Sequence, residues 1–307
     1  MGAQLREYRR RIKSVQSTKK ITRAMELIAA SRIVKAQQRI AASRPYSEAI
    51  TDVVRTVTAP GVVSVDHPLT TPRENVSAAA LVLITSDRGL AGGYSANVLR
   101  AGEQTTAKLR EQGIQTVMPF LVGRKALGYY RFRGRDVSHS WTGFSEQPSY
   151  EDAKAVGDDL LEQFVKGGSD GGVDEIHLVF TRFESMATQK VTVSRLLPLD
   201  PADVAEGDGE EATASTALME FEPEGAGVLD ALLPQYLTAR IFAAMLDAAA
   251  SEQSARRRAM KSATDNADEL IKKLTRDANA ARQAEITQEI MEIVGGAEAL
   301  AGTGSEL

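Results

Sequence analysis

Residues 1–44 read MGAQLREYRRRIKSVQSTKKITRAMELIAASRIVKAQQRIAASR, a proline-free stretch whose apolar residues advance by three or four, with two irregular steps. This spacing predicts a helix that carries a coiled-coil seam. Lys19 and Lys20 fall where apolar residues are expected, so we predict a register shift beside them. The predicted seam consists of Leu5, Tyr8, Ile12, Val15, Ile21, Met25, Ile28, Ile33, Ala36 and Ile40.

A second run of this kind starts near Tyr236, after the last proline at Pro234, and we expect Gly295 and Gly296 to end or loosen it. At 1.5 Å per residue the first helix would span roughly 65 Å and the second roughly 90 Å. We therefore predict that the two helices pair and that the second projects as a single-helix tip. The alternative is an ordinary soluble helix of high alanine content. In the paired arrangement, the seam of the second helix would contain Ile241, Met245, Ala249, Ala263, Ala267, Leu270, Leu274, Ala278, Ala281, Ile290 and Ile293.

Between the helices the pattern changes to alternating strands and helices. The run AAALVLIT at 78–85 has the length and apolar character of a central strand buried on both faces. Further strands are predicted at 115–122, 175–183 and 191–197, and helices at 94–112, 124–132 and 150–165. This alternation indicates an open, mostly parallel α/β sheet. The Gly- and Asp-rich segments 166–172 and 200–213 are expected to be exposed loops.

These patterns divide the chain into four parts. They are an N-terminal coiled-coil helix (1–58), an α/β domain (76–200), an acidic linker (201–226) and a C-terminal coiled-coil helix with its tip (227–307).

Composition narrows the class of protein. The 307 residues are 43% hydrophobic, which is enough for a sizeable core, and the absence of cysteine excludes disulfides and thiolate metal sites. The net charge of −4 is unevenly spread, since residues 1–44 hold twelve Lys or Arg and two acids, whereas residues 200–224 hold nine acids and no base. A basic helix could bind nucleic acid, an anionic membrane or an acidic protein, or could simply be solvated. No apolar run is long enough to cross a membrane.

The sequence contains no recognisable catalytic motif. The segment SDRGLAGGY at 86–94 is a glycine-rich strand-to-helix turn, but its spacing matches neither GxGxxG nor a Walker loop. We interpret it as a tight turn, with nucleotide binding as the weaker alternative. His67, His139 and His177 lie in unrelated contexts without metal-ligand spacing, and no nucleophile elbow is present. We therefore predict no catalytic residues, no metal site and no cofactor.

Four segments resemble the signature stretches of one family. They are ITRAMELIAASR at 21–32, ITSDRGLAGGY at 84–94, KSATDNA at 261–267 and ARQAEITQEIMEIVGG at 281–296. In this order along the whole chain they are similar to the gamma subunit of the F-type ATP synthase, in a bacterial and actinobacterial form.

The resemblance implies a fold and a role. The terminal helices would form an antiparallel coiled coil, a central shaft within a hexamer of alpha and beta subunits, and the middle domain would be Rossmann-like. Turning of the proton-driven membrane ring would turn the shaft, which would drive the catalytic beta sites through different affinities. The implied partners are the alpha, beta and epsilon subunits and the c-ring, at the cytoplasmic face of the plasma membrane, without nucleic acid or membrane insertion. The chain would not itself be an enzyme.

The family pattern also implies contact residues. Those matching beta-subunit contacts are Arg23, Met25, Ala91, Arg282, Gln283, Thr287 and Glu292, and those matching contacts to the ring and epsilon are Tyr236 and Arg240. Met25 could instead fill the seam, and Arg282 could be a solvated helix residue. The segment 166–172 is longer than in many members, which suggests a mobile loop that touches the ring or stator. A coiled-coil scaffold or nucleic-acid-binding protein and a soluble nucleotide-binding regulator remain the alternatives.

Overall fold

The computed structural model describes residues 2–57, 69–73, 75–199 and 225–303. His67 and the acidic segment 200–224 lie outside these ranges. The described chain divides into two compact units. The coil unit comprises Met1–Ile28 and Arg257–Leu307, and the sheet unit comprises Ala29–Arg256. This division differs from the predicted domains because each long helix contributes to both units.

The two long helices have bounds close to those of the predicted helical parts, 1–58 and 227–307, although each contains a proline. Helix α1 spans Gly2–Val57 with Pro45 inside it, and helix α5 spans Gly225–Thr303 with Pro234 inside it. The predicted start of the second helix near Tyr236 and its end at Gly295 are therefore wrong. A proline within a helix costs about 3 kcal/mol. Burial of Ile50 and Val54 after Pro45, and of Leu233 before Pro234, offsets this cost through the core.

The sheet unit contains five strands and the three remaining helices. In chain order they are β1 (Ala78–Ile84), α2 (Tyr94–Glu111), β2 (Thr116–Val122), α3 (Arg124–Phe132), β3 (His139–Trp141), α4 (Tyr150–Lys166), β4 (Glu175–Phe183) and β5 (Gln189–Leu197). The spatial order is β3-β2-β1-β4-β5, with β5 alone antiparallel to its neighbour. The predicted strands and helices are confirmed within a few residues, and β3 is an additional short edge strand.

Strand β1 is buried at every residue, as its apolar run predicts. Ala80, Val82 and Ile84 pack in a core formed with α1, α4 and α5, whereas Leu81 and Leu83 pack in a second core with α2 and α3. The sheet is therefore covered by helices on both faces, the three-layer arrangement expected of a doubly wound α/β fold. At the junction of β2 and α3, Gly123 has φ 97°, and a Cβ there would lie 2.3 Å from the Thr85 carbonyl oxygen.

The segment 166–172 is a compact turn. It contains a 3₁₀ turn at Gly168–Asp170, and the Gly172 amide donates to the Gly167 carbonyl at 2.8 Å. The buried Asp174 carboxylate accepts hydrogen bonds from the amides of Gly168 and Ser77, both at 2.8 Å, and from Arg73 Nη1 at 2.7 Å. Burial alone would raise the pKa of Asp174, but these donors hold it well below its usual value. Outside α4, whose last residue Lys166 is also exposed, the prediction of an exposed loop holds for Ser169, Asp170 and Gly171.

The middle of α5 is buried on every side. From Ala248 to Ser254 each residue is buried, and all but Glu252 and Gln253 are alanine or serine. Small side chains allow the sheet unit to enclose this helix because neighbouring backbones can approach it closely. The Tyr94 hydroxyl, for example, donates to the Ala248 carbonyl at 3.1 Å, and burial raises the pKa of Tyr94 well above its ordinary value.

Candidate functional site

The coil unit pairs the two helices in antiparallel fashion along an unbroken seam. One line of buried and half-buried side chains on α1 consists of Leu5, Tyr8, Ile12, Val15, Lys19, Thr22 and Glu26, and the facing line on α5 of Met260, Thr264, Ala267, Ile271, Leu274, Ala278, Ala281 and Glu285, with Met25, Ala263, Asp268 and Asp277 half-buried beside these lines. Both sets alternate strictly between steps of three and four, which is a heptad pattern. The predicted register shift beside Lys19 and Lys20 is therefore wrong. Lys19 occupies a seam position, and Leu270, predicted for the seam, is exposed.

A polar layer replaces the apolar seam in the middle of the coil unit. Thr22 Oγ1 lies 2.7 Å from Thr264 Oγ1, and Lys19 forms an ion pair with Asp268 one turn further on. The buried Glu26 accepts from Arg23 Nη1 at 2.8 Å. Each of these side chains has a partner, so the layer can be polar without a large desolvation cost.

Apolar side chains that could have filled the seam face outward instead. Ile21 is 61% exposed, Leu27 58% and Ile28 52%, whereas Met25 is half-buried beside the seam. Ile21, Met25 and Ile28 share one side of α1, whereas Arg23 and Leu27 lie on the opposite flank of the same turns. An exposed apolar group of this kind on a paired helix marks a surface for another protein. The two predicted contact residues Arg23 and Met25 therefore lie at the same level of the coil unit but on different sides of α1.

The last described part of α5 is a bare helix. All side chains from Ile286 to Ala297 are exposed, including Ile290, Met291 and Ile293, so the predicted single-helix tip is confirmed for these residues. Arg282, Gln283, Thr287 and Glu292 are exposed here. Thr287 Oγ1 donates to the Gln283 carbonyl at 2.9 Å, and Gln288 Nε2 donates to Glu292 Oε1 at 3.1 Å.

The two groups of predicted contact residues in the coil unit lie at different heights. Because Lys19 pairs with Asp268 and Thr22 with Thr264, residue 25 of α1 is level with about residue 262 of α5. Arg282 is about 20 residues beyond that level, or roughly 30 Å along the helix. The predicted contact residues of the coil unit therefore lie at two separate levels, one at Arg23 and Met25 and one along the tip.

The glycine-rich turn after β1 is held by side chains from elsewhere in the sheet unit. Leu90 has φ 63° and Gly92 φ 56°, so the turn uses left-handed backbone. The Asp87 carboxylate accepts from the amides of Gly143 at 2.8 Å and Ser145 at 3.0 Å. Ala91, a predicted contact residue, is buried, whereas its neighbour Leu90 is 59% exposed. Leu90 is thus the exposed apolar side chain of this turn.

A buried ionic network next to this turn is absent from the sequence predictions. Arg256 binds Glu252 at 2.6 Å and Glu146 at 3.3 Å, and its guanidinium also donates to the Gly89 carbonyl at 3.3 Å. Glu146 also binds Arg32 of α1 at 2.5 Å. Burial raises the pKa of Glu252, and the charge of Arg256 opposes this rise. Only the Glu252–Arg256 spacing of four residues is visible in the sequence, since the other partners are distant in the chain.

The residues predicted to face the ring and epsilon lie at the core of the sheet unit. Tyr236 is 4% exposed and packs in the core between α5 and the sheet. Arg240 is half-buried, with its guanidinium 6.0 Å from the centre of the Tyr236 ring. In the chain by itself, Arg240 is therefore the more accessible member of this pair.

Among the described histidines, His139 stacks on Phe120, with ring centres 4.9 Å apart, and His177 lies 2.8 Å from Glu175. Both have contacts typical of structural residues in a sheet. Among the helices of the described residues, none is both long and apolar enough to cross a bilayer.

This geometry defines a class of protein, in which terminal helices pair as a coiled coil, a Rossmann-like α/β sheet lies between them in the chain, and exposed helix faces are available to other proteins. The family described as "ATP synthase" matches residues 4–300. The ATP synthase gamma chain of Acidothermus cellulolyticus is 61% identical over the full length of both chains, and that of Kineococcus radiotolerans is 60% identical over 99% of each. The chain belongs to the ATP synthase gamma-chain family.

Solved structures share the fold at much lower sequence identity. A chain of the Euglena gracilis mitochondrial ATP synthase (OSCP/F1/c-ring, rotational state 3) has a TM-score of 0.64 and 18% identity, covering 100% of this chain and 98% of that one. A chain from the central stalk and c-ring of the Tetrahymena thermophila mitochondrial ATP synthase has a TM-score of 0.56 and 20% identity, covering 79% and 99%. At these identities the likeness concerns the fold.

Proposed function

We propose that the chain is the central rotor shaft of an F-type ATP synthase. Full-length identity of 61% to a curated ATP synthase gamma chain is the observation that carries this proposal. Its partners are then the alpha and beta subunits, the epsilon subunit and the c-ring. The chain transmits rotation of the ring to the catalytic beta sites and has no catalytic residues or cofactor of its own. It associates peripherally with the cytoplasmic face of the plasma membrane.

The two surfaces of the coil unit suit this role physically. Ring rotation would carry the Arg23 side and the Met25 side of the coil past each beta subunit in turn, and the tip would turn at a different height. A face that meets three subunits differently can bias their conformations, because a partner shifts an equilibrium only through unequal contacts with its states. We assign Arg23, Met25, Ala91, Arg282, Gln283, Thr287 and Glu292 to contact with beta, with Leu90 as the exposed side chain beside Ala91. Arg240 is assigned to the side facing the ring and epsilon, and the buried Tyr236 ring acts there by supporting its guanidinium.

The alternatives receive less support from the contacts in the structure. A nucleic-acid-binding role would use the cations of the basic segment 1–44, and five of its twelve Lys or Arg, namely Arg10, Lys19, Arg23, Arg32 and Arg44, already have an acidic partner within the chain. A nucleotide site at residues 86–94 requires free amides, but the Asp87 amide donates to Ser145 Oγ at 2.9 Å and the Tyr94 amide to the Ala91 carbonyl at 3.2 Å.

Reconstitution tests the proposal directly. The chain is combined with alpha and beta subunits, a bead is attached at an exposed position of the sheet unit, and the bead is followed during ATP hydrolysis. We expect stepwise rotation with threefold symmetry that stops when ATP is withdrawn. Failure to assemble, together with salt-dependent DNA binding or nucleotide binding by the chain alone, would refute the rotor function.

A further inference from the structure

The end of α3 carries an exposed aromatic ring between two arginines. We call Arg131, Phe132 and Arg133 the RFR patch. Phe132 is 88% exposed, more than any other large apolar side chain of the described residues, and both arginines are exposed. Isolated surface apolar residues are common. A phenylalanine ring placed almost wholly in water between two cations is a more specific arrangement.

The backbone beneath the RFR patch is fixed. The Arg133 amide donates to the Tyr129 carbonyl at 3.1 Å, the Arg135 amide to the Tyr130 carbonyl at 3.0 Å, and Gly134 turns the chain with φ 62°. The Arg133 guanidinium lies 5.3 Å from the centre of the Tyr129 ring, a cation–π contact. A partner would thus bind a preformed surface and would not have to order the chain.

The positive charge of the patch is uncompensated. Arg135 pairs with Glu103, but Arg131 and Arg133 form no ion pair with any residue in the described ranges. Asp136 is the one acid in the segment 124–136, which holds five Lys or Arg. This local charge selects a negatively charged partner, because an acidic surface gains from the encounter and a basic one is repelled.

We propose that the RFR patch is a docking site for an acidic protein surface, with the Phe132 ring inserted in an apolar pocket bordered by Asp or Glu side chains. Aromatic residues and arginine are the side chains enriched at the centres of protein interfaces. An anionic lipid surface fits less well, because stable adsorption needs several apolar side chains or a larger basic cluster. This site is separate from the coil-unit surfaces assigned to beta contact.

Photo-crosslinking in living cells tests the site without assuming the rotor function. Phe132 is replaced by benzoylphenylalanine in the full-length chain, which is produced in its own cells, irradiated and purified through a tag. Val165, 66% exposed on α4, receives the same amino acid as a control. We expect one protein adduct at position 132, at several times the yield of any adduct at 165. The crosslinked peptide should be rich in Asp and Glu.

Charge reversal supplies the second test. In the chain crosslinked at position 132, Arg131→Glu with Arg133→Glu should lower the adduct yield at least about fivefold, because the acidic partner is then repelled. Arg110→Glu, an exposed arginine at the end of α2, should leave the yield unchanged. Lipid adducts alone, an adduct to a peptide without acids, or a yield indifferent to charge reversal would each overturn the proposal. If the double glutamate variant is not stably produced, the glutamine pair should still lower the yield.

Discussion

At the scale of single residues, one arginine of the sheet unit contacts parts of the chain that are distant in the sequence. One guanidinium, that of Arg256, contacts Glu252 on its own helix, Glu146 in the segment after β3 and the turn at Gly89. Arg256 is 5% exposed, so these contacts are removed from water. Hydrophobic periodicity predicts which face of an element is apolar, but it does not predict contacts between charged residues that are distant in the sequence. This network could not be predicted from the sequence for that reason.

Replacing Arg256 should destabilise the sheet unit severely. Arg256→Ala leaves the buried Glu252 without its cation, whereas Glu146 keeps Arg32 and Arg88, and breaking a buried pair in this way costs about 3–5 kcal/mol. Urea denaturation of the full-length chain, monitored by the fluorescence of Trp141, measures the loss. Arg88→Ala is the matched control, since Arg88 binds the same Glu146 at 3.4 Å but is largely exposed. We expect that variant to lose less than about 1 kcal/mol, and equal losses would contradict this account.

Asp174 provides a prediction with a pH dependence. Its folded-state pKa is held well below the ordinary value of 3.8, so its contribution to stability is present above pH 3.8 and is lost as pH falls through the folded pKa. At pH 7, Asp174→Asn should lower the free energy of unfolding by about 2–3 kcal/mol because the charge-assisted bonds are lost.

The difference in the free energy of unfolding between Asp174→Asn and the unaltered chain should narrow as the pH is lowered below 3.8. Urea titrations at a series of pH values would follow it. Asp170→Asn, at an exposed position of the same turn, should change little at any pH. If this difference in the free energy of unfolding does not depend on pH, Asp174 stabilises the fold through its shape and not through its charge.

At the scale of elements, sequence patterns predicted an element correctly only where its buried residues are apolar. Strand β1 could be predicted because it is an unbroken apolar run buried on both faces. The seam of α1 could not be located near residues 19–28, because Lys19, Thr22 and Glu26 lie inside while Ile21, Leu27 and Ile28 lie outside. The spacing of the apolar residues therefore predicts the seam on the wrong face of α1 in this region.

The ion pair within the polar layer should contribute modestly to the pairing of the two helices. Lys19 and Asp268 are about two-fifths exposed, so solvent screens their attraction. A double-mutant cycle with Lys19→Met and Asp268→Asn should give a coupling energy below about 1 kcal/mol, measured by thermal unfolding of the coil unit within the full-length chain.

The same cycle on Thr22→Val and Thr264→Val serves as comparison, because these hydroxyls are buried and 2.7 Å apart. There we expect a stronger coupling, since each single change leaves a buried hydroxyl without its partner. The reverse order of the two coupling energies would mean that charge, and not hydroxyl pairing, dominates the layer.

At the scale of the whole molecule, the coil unit should be the weaker of the two. Its seam is rich in alanine and polar residues, which bury little apolar area, whereas the sheet unit has helices on both faces of a five-stranded sheet. Partners that bind only the folded state add stability by mass action. In hydrogen exchange on the chain alone, amides of 257–285 should exchange faster than those of β1 and β4. Assembly with alpha and beta subunits should slow the exchange of the coil amides by at least about tenfold.

The unbroken steps of three and four in the coil unit have a mechanical consequence. A strict heptad pattern winds two helices around each other in a left-handed sense, with a pitch of about 150 Å. The α1 segment of the coil unit is roughly 40 Å long and so completes about a quarter of a turn. Twisting in the sense that tightens this winding presses the backbones together at Ala267, Ala278 and Ala281, whereas the opposite sense separates them. The coil therefore has unequal torsional stiffness in the two directions of twist.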